Sequence, residues 1–369
     1  MMMKMNKKYI ILSIGVCLLL FSGTIGYADG VKVHGEGVIL MDTDSGRVLY
    51  EYNPYSELSM ASTTKIMTAL VALENGNLDD IVTIKKSSVG IEGSSIYLYE
   101  EEEISLEDLL YGLMLRSGND AAIAIAEFIG GSVDGFVELM NKKAKEIGAR
   151  NTNFTNPHGL SDENHYTTSY DLTIITRAAL KNENFNKIVK TQKWVANREK
   201  NQYFYNKNKT LWQYEGGDGV KTGYTKKAGR CLVASATRND LQLISTVLND
   251  GNWFNDCYEL LDYGFQNFSQ VIIYDAGQYV ENVEVINGNK DKVPIVTKNS
   301  FTYPLRKEEI DKITVFYKLP PGIEAPIKKG EEIGEISVYL DGKLIHTEKM
   351  ITKENINKLN ILEKMLKNL

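Results

Sequence analysis

Ser62 and Lys65 stand three residues apart in a largely apolar stretch, residues 60–73, that ends at Asn75-Gly76. An apolar run of this length with a glycine stop predicts a helix that is buried on most sides. Residues three apart share a helix face, so the Ser62 hydroxyl and the Lys65 amine are expected to be neighbours. Burial disfavours the charged form of an amine, which would let Lys65 act as a base. The pair therefore predicts a serine nucleophile with a base beside it.

A Ser-x-x-Lys pattern alone has a plainer interpretation, in which Ser62 caps a core helix and Lys65 extends to solvent. Two later patterns favour catalysis. Ser117-Gly118-Asn119 begins 55 residues after Ser62, and Lys221-Thr222-Gly223 begins a further 104 residues on. Each pattern occurs once in the chain, and together they would bring hydroxyl, amide and amine groups to one site.

The sequence around these patterns resembles the penicillin-binding D-alanyl-D-alanine carboxypeptidases. Residues 61–68, 116–122, 156–160 (Asn-Pro-His-Gly-Leu) and 218–225 carry the resemblance, which is clear over residues 31–270. The middle pattern is Ser-Gly-Asn, whereas class A β-lactamases have Ser-Asp-Asn. A deacylating Glu-x-x-Leu-Asn stretch is also missing between Ser117 and Lys221. Both features favour a carboxypeptidase over a β-lactamase.

The resemblance implies a role for each motif residue. Ser62 would attack the carbonyl of the penultimate D-alanine, Lys65 would accept its proton, and Ser117 would relay the proton to the leaving amine. The expected catalytic residues are Ser62, Lys65 and Ser117, and the expected substrate-binding residues are Asn119, Lys221, Thr222, Gly223 and Tyr224. Asn119 would hold the substrate amide, Lys221 and Thr222 the terminal carboxylate, and the N–H groups of Ser62 and Tyr224 the oxyanion.

The expected substrate is the peptidoglycan pentapeptide, and β-lactam antibiotics are expected to acylate the same serine. No cofactor is expected. A D,D-endopeptidase or transpeptidase would use the same residues, and a non-catalytic wall-binding protein is a further alternative. The sequence departs from some relatives in two places: Tyr224 replaces a histidine, and no arginine stands near Asn252-Trp253. Both departures concern substrate preference.

Residues 1–28 have the composition of a secretory signal peptide. Three lysines precede an apolar stretch, and Gly26-Tyr27-Ala28 offers small residues for cleavage after Ala28. A retained N-terminal anchor is the alternative, because the apolar stretch approaches spanning length. Cleavage removes three lysines and no acid, which changes the net charge from −6 to −9. The sequence thus predicts a secreted, acidic protein that does not bind nucleic acid.

Two pairs of residues invite other interpretations. His158 and His165 lie seven residues apart, but no cysteine or carboxylate cluster of ligand spacing accompanies them. Structural roles are therefore expected for both histidines, and no metal site is predicted. Cys231 and Cys257 are the only cysteines left after residue 28, too few for a disulfide framework. The sequence leaves their pairing open.

The predicted fold is α/β of the α+β kind, a β-lactamase/transpeptidase-like antiparallel sheet covered by helices. An early hairpin, residues 37–42 and 47–52, is separated by helical segments from late strands at residues 220–224, 231–237 and 241–248. A closing helix is predicted over residues 253–265. These elements make up a predicted catalytic domain over residues 29–269.

A small all-β domain is predicted over residues 270–350, from short strands and the turn Leu340-Asp341-Gly342-Lys343. An amphipathic helix is predicted to follow in the last segment, residues 351–369, and to begin at Asn355. Its apolar stripe is Ile356, Leu359, Leu362, Leu366 and Leu369. Such a helix would make a peripheral membrane contact or pack on the β domain.

Overall fold

The structure is a computed structural model that describes residues 31–360. The predicted signal peptide, residues 1–28, and residues 361–369 of the predicted C-terminal helix lie outside the described residues. Within the described range, no helix has both the length and the apolar character needed to cross a membrane.

The described elements alternate helices and strands in the first two thirds and are almost entirely strands afterwards. The α-helices are α1 (Lys65–Asn75), α2 (Leu106–Tyr111), α3 (Asn119–Gly130), α4 (Val133–Ile147), α5 (Ser169–Leu180), α6 (Glu183–Lys190), α7 (Thr210–Gln213) and α8 (Trp253–Asn267). The strands are β1 (Gly37–Asp42), β2 (Val48–Tyr52), β3 (Ile81–Thr83), β4 (Glu103–Ser105), β5 (Lys193–Val195), β6 (Tyr203–Tyr205), β7 (Gly217–Thr225), β8 (Gly229–Arg238), β9 (Leu241–Leu248), β10 (Ser269–Tyr274), β11 (Tyr279–Ile286), β12 (Lys292–Thr297), β13 (Phe301–Leu305), β14 (Ile313–Lys318), β15 (Gly322–Glu324), β16 (Glu332–Leu340) and β17 (Lys343–Thr352). Short 3-10 helical turns lie at Ala61–Thr64, Lys86–Ser88 and Lys307–Lys312. A π-helical turn lies at Gly112–Arg116.

A five-stranded antiparallel sheet with the order β2-β1-β9-β8-β7 forms the centre of the first region. Strand β1 pairs with β9 along its whole length, from Gly37 opposite Leu248 to Asp42 opposite Leu243. Every residue of β1 is buried, as are most of β8 and β9, because α8 packs on β8 and β9 while α5 packs on β1 and β9. Strands buried on both faces need helices on both sides. The predicted sheet covered by helices is therefore confirmed.

Two local predictions about this region are confirmed, one for a hairpin and one for a helix. The β8–β9 hairpin turns at Asn239 and Asp240, whose φ angles are 48° and 62°, as a tight hairpin requires. Helix α8 runs from Trp253 to Asn267, two residues beyond the prediction. The sheet ends at β7, so the strand that carries Lys221 and Thr222 has one unpaired edge in the five-stranded sheet.

The C-terminal region is the all-β domain that the sequence predicts. Six strands form a sheet with the order β14-β16-β17-β12-β11-β15, and β10 pairs separately with β13. Val293, Ile295, Val338 and Met350 are fully buried in a separate core. Sequence reasoning missed β13 because Pro304 lowers the strand signal of a five-residue segment.

The prediction of a C-terminal helix is wrong for its first six residues, 355–360. This segment is extended: Ile356 forms a bridge with Ile327, and Lys358 forms one with Gly288. Ile356 is only 1% exposed and belongs to the core of the β domain. Pairing at the sheet edge satisfies the backbone and buries Ile356, and an isolated short helix gains neither. Strand β17 also continues to Thr352, beyond the predicted boundary at residue 350.

Candidate active site

Ser62 lies on the 3-10 turn Ala61–Thr64, just before α1 rather than inside it. The tighter turn has a local cause, since the hydroxyls of Thr63 and Thr64 donate to the carbonyls of Met60 and Ala61, at 2.6 and 2.8 Å. Strand β7 passes directly against this turn. A Cβ atom at Gly223 would lie 3.0 Å from the Ser62 nitrogen, so any larger residue would press on this turn, and glycine allows the close approach without a shift.

Lys65 is fully buried and points at Ser62. Its Nζ lies 3.1 Å from Ser62 Oγ, 2.7 Å from Asn119 Oδ1 and 2.7 Å from the backbone carbonyl oxygen of His158. Burial lowers the pKa of the Lys65 amine well below its ordinary value, and the cation of Lys221 lowers it further, against an opposing effect of Asp120. The environment therefore favours a neutral amine.

The three contacts of Lys65 also orient that neutral amine. A neutral amine has two N–H donors and one lone pair. The His158 carbonyl can only accept a hydrogen bond, and Asn119 presents its oxygen because its Nδ2 donates to the carbonyl of Glu92 at 2.5 Å. Both N–H groups are thus used, and the lone pair is directed at the Ser62 hydroxyl. This is the arrangement that a general base for Ser62 requires.

The Ser-Gly-Asn motif forms the turn between two core helices, as the sequence predicts. Ser117 ends the π-helical turn with a left-handed φ of 64°, and Asn119 begins α3. Ser117 is 6% exposed, and none of the residues 31–360 hydrogen-bonds to its hydroxyl. Its hydroxyl is therefore available to a substrate, while Asn119 is held by Lys65 and Glu92.

Lys221 is buried on the edge strand β7, with its amine 2.9 Å from the backbone carbonyl oxygen of Thr222. Burial lowers the pKa of Lys221 to about 7, and the cation of Lys207 contributes. Thr222 is half-buried, whereas Tyr224 is 63% exposed at the rim. Within four residues this strand therefore carries a buried amine, a half-buried hydroxyl and an exposed ring.

The rings of His158 and His165 accept hydrogen bonds from nearby backbone N–H groups, that of His158 from Leu160 at 3.1 Å. The Nδ1 of His165 accepts from the Thr155 N–H at 3.0 Å, and its Nε2 lies 2.8 Å from the Thr64 hydroxyl. Burial lowers the pKa of His158 to about 3 and that of His165 to about 4, so both rings are neutral. Residues 31–360 contain no group of three side chains suited to hold a metal ion.

Sequence reasoning missed two contributors to the site. The first is the backbone carbonyl of His158, which any residue type could supply and which therefore leaves no signal in the sequence. The second is Asp120, whose buried carboxylate accepts from the N–H groups of Ile96 and Leu98, both at 3.1 Å, and from the Ser95 hydroxyl at 2.5 Å. Asp120 fixes the loop that borders the Ser-Gly-Asn turn. Its place directly after Asn119 was the available signal.

The two cysteines that the sequence left open are unpaired. Cys231 and Cys257 are both buried free thiols. Burial raises the pKa of Cys231 to about 12 and raises that of Cys257 as well. Such thiols are poor nucleophiles, so neither competes with Ser62 as a reactive group.

Comparison with known families agrees with this geometry. Residues 26–252 match the family model described as D-alanyl-D-alanine carboxypeptidase, and residues 268–358 match that of the penicillin-binding protein 5 C-terminal domain. The chain belongs to the D-alanyl-D-alanine carboxypeptidase family. The family that the sequence resembles and the predicted fold class are thereby confirmed.

Individual relatives of this carboxypeptidase family cover from 64% to 95% of the chain. The chain is 34% identical to the D-alanyl-D-alanine carboxypeptidase DacF of Bacillus subtilis, over 95% of each protein. It is 34% identical to penicillin binding protein 5 of Haemophilus influenzae, with a TM-score of 0.75 over 89% of this chain and 98% of that one. A Streptomyces K15 DD-transpeptidase matches at 34% identity and a TM-score of 0.60, over 64% of this chain and 99% of its own.

In this member of the carboxypeptidase family, an arginine from another strand lies near Asn252-Trp253, where the sequence itself has no arginine. No arginine stands beside Asn252, but the guanidinium of Arg230 donates to the Gly251 carbonyl at 3.2 Å. Arg230 lies on β8, directly opposite Tyr224 in the strand register. A cation is thus present beside the end of β7, although a different strand supplies it.

Proposed function

We propose that this protein is a serine-type D-Ala-D-Ala carboxypeptidase that removes the terminal D-alanine from peptidoglycan pentapeptide stems through an acyl-enzyme at Ser62. The observation that carries this proposal is the environment of Lys65. Two acceptors at 2.7 Å use both N–H groups of a neutral amine and leave its lone pair for Ser62, at 3.1 Å. A serine with a preorganised base beside it is an activated nucleophile.

Acylation begins when Ser62 Oγ attacks the carbonyl carbon of the penultimate D-alanine and passes its proton to Lys65. The N–H groups of Ser62 and Tyr224 bind the oxyanion that forms. The carbon–nitrogen bond then breaks, and Ser117 relays the proton from Lys65 to the leaving amine of D-alanine. A water molecule attacks the resulting ester, Lys65 accepts its proton, and the shortened peptide leaves as Ser62 regains its hydrogen.

Substrate recognition follows from the edge strand β7 and from Asn119. The unpaired edge of β7 can hydrogen-bond an extended peptide, which is a common form of peptide recognition. Lys221 and Thr222 bind the terminal carboxylate, and Asn119 binds an amide of the acyl-donor part. Gly223 keeps this strand close to Ser62. A requirement for a free carboxylate is what makes the enzyme an exopeptidase.

Transpeptidation or endopeptidase activity is the second candidate function. A relative at 34% identity bears the name DD-transpeptidase, and acyl transfer to an amine uses the same acyl-enzyme as hydrolysis. Addition of an acceptor amine to the assay separates transpeptidation from hydrolysis. A product joined to the amine would favour transpeptidation, whereas free tripeptide-D-Ala alone would favour the carboxypeptidase.

We infer that the protein acts outside the cytoplasmic membrane after removal of residues 1–28. Peripheral contact through residues 361–369 is also proposed, but Ile356 and Lys358 take part in the β domain and are unsuited to it. Flotation of residues 29–369 with vesicles, compared with a protein ending at residue 360, tests this contact. Equal flotation of the two proteins would contradict it.

Incubation of residues 29–369 with benzylpenicillin tests the proposed activity. The β-lactam amide mimics the D-Ala-D-Ala bond, so a slowly hydrolysed adduct is expected at Ser62, together with release of D-alanine from a pentapeptide. Ser62→Ala should abolish both, whereas Ser161→Ala, at an exposed serine on the neighbouring loop, should retain labelling. An adduct at another residue, or rapid penicillin hydrolysis without a trapped adduct, would contradict the proposal.

A further inference from the structure

Arg116 and Lys207 are two cations near the Ser-Gly-Asn turn that form no ion pair with a carboxylate among residues 31–360. Within residues 31–360, neither has an acidic side chain at ion-pair distance, and the Arg116 guanidinium makes no hydrogen bond. Arg116 is half-buried. A guanidinium has five donors, and donors removed from water without a partner cost free energy.

The position of Lys207 is fixed relative to the catalytic motifs. Its Nζ lies 3.3 Å from Ser94 Oγ, and the Ser94 carbonyl accepts from the Asn119 N–H at 2.7 Å. Arg116 directly precedes Ser117 in the chain. Lys207 is therefore linked to the Ser-Gly-Asn turn through Ser94, and Arg116 adjoins the same turn in the chain, whereas Lys221 lies on β7.

The two cations also influence each other. Lys207 is exposed at the surface, but partial desolvation of its amine lowers its pKa, and the charge of Arg116 lowers it further. Like charges that lie close together without an acid between them repel, and a bound anion would convert this repulsion into two charge-assisted hydrogen bonds. Two such cations without an acidic partner among the described residues are suited to bind an anion.

We propose that Arg116 and Lys207 form a subsite for a carboxylate in the acyl-donor part of the substrate, on a residue that precedes D-Ala-D-Ala. The inference rests on the proposed function, in which Asn119 binds an amide of that same part. It is separate from Lys221 and Thr222, which bind the terminal carboxylate. The subsite would make the enzyme prefer stem peptides whose acidic groups are free over stems in which they are amidated.

Two matched pairs of peptides test the subsite. The first pair is acetyl-Glu-D-Ala-D-Ala and acetyl-Gln-D-Ala-D-Ala, and the second has the Glu or Gln one residue earlier, before an acetylated lysine. In at least one pair, kcat/KM should be about 5- to 30-fold higher for the acid, the range for a hydrogen-bonded, partly buried carboxylate. The acid/amide ratio should fall below about twofold in Arg116→Gln/Lys207→Gln and should decrease at high salt.

The ratio is the readout because it cancels general effects of the substitutions on catalysis. Lys200→Gln, at an exposed lysine of the neighbouring β5–β6 hairpin, is the matched control and should keep the wild-type ratio. Equal rates for acid and amide in both pairs would overturn the proposal. An equal loss with both members of a pair in the double variant would also overturn it, because the cations would then serve only the terminal carboxylate.

Failure of the proposed function can be distinguished from failure of the subsite. If no peptide releases D-alanine, the carboxypeptidase assignment fails. Calorimetric binding of the same peptide pairs to Ser62→Ala still reports the acid/amide ratio in that case. A ratio near one in that binding experiment overturns the subsite independently.

Discussion

Replacement of Lys65 by arginine is the sharpest test of the mechanism. The substitution keeps a basic side chain with much of the same bulk, but a guanidinium cannot lose its proton near neutral pH, so it places a permanent charge where the wild-type amine is neutral. It would bring five donors into a space that offers two acceptors at 2.7 Å and the Ser62 hydroxyl at 3.1 Å. Ser62 would then lose both its base and its orientation.

The expected loss follows from these two effects. General-base catalysis contributes about 10²–10⁴-fold, and misorientation of the nucleophile adds to it. Acylation by benzylpenicillin should therefore slow by about 10³–10⁵-fold, which corresponds to roughly 4–7 kcal/mol in the activation barrier. Lys227→Arg, at a lysine whose amine donates to the Asp162 carbonyl at 3.3 Å, is the matched control and should acylate at the wild-type rate.

Stopped-flow acylation with a fluorescent penicillin measures this rate, and circular dichroism reports whether the variant is folded. The reasoning would be refuted by a folded Lys65→Arg protein that acylates within tenfold of wild type. Such a result would remove Lys65 as the base and leave the two 2.7 Å contacts without a catalytic explanation.

Three further predictions concern the charged groups of the site. First, kcat/KM from about pH 5 to pH 10 should be bell-shaped: activity falls as pH drops through the depressed pKa of Lys65, and it falls again as pH rises and Lys221 loses the proton that binds the carboxylate. A profile without an alkaline limb would exclude Lys221 from recognition. Second, Lys221→Met should raise the free energy of unfolding at pH 6 by about 3–5 kcal/mol, because the pKa of Lys221 drops from 10.5 to about 7 on folding. The gain, measured by urea denaturation, should shrink at pH 9, where the native lysine is already neutral and only the unfolded chain still binds the proton. Third, Asp120→Asn should slow acylation about 10- to 100-fold by leaving loop N–H groups unpaired, and it should move the acid limb to lower pH because Asp120 raises the pKa of Lys65. An unchanged acid limb would contradict this electrostatic role.

The sequence by itself determined the chemistry of this protein and most of its elements. Residue types at fixed spacing predict the Ser62–Lys65 pair, and the order of the three motifs identifies the family. The periods of the apolar residues predict the helices and the β8–β9 hairpin, because these features depend on local contacts. Position in the chain alone predicts neither which strand lies at the sheet edge nor what approaches it.

Only the tertiary structure decided the features that depend on distant backbone atoms. The His158 carbonyl orients Lys65 from 93 residues away, and a carbonyl carries no residue-type signal. The close approach of Gly223 to the turn at Ser62 depends on where β7 lies in the sheet, which no local pattern specifies. The extended segment at Ile356 has an amphipathic pattern that also suits a helix. The extended form is favoured because the bridge to Ile327 satisfies backbone hydrogen-bonding groups and Ile356 is buried in the β core. The spacing of apolar residues in the sequence gives no information about either contact.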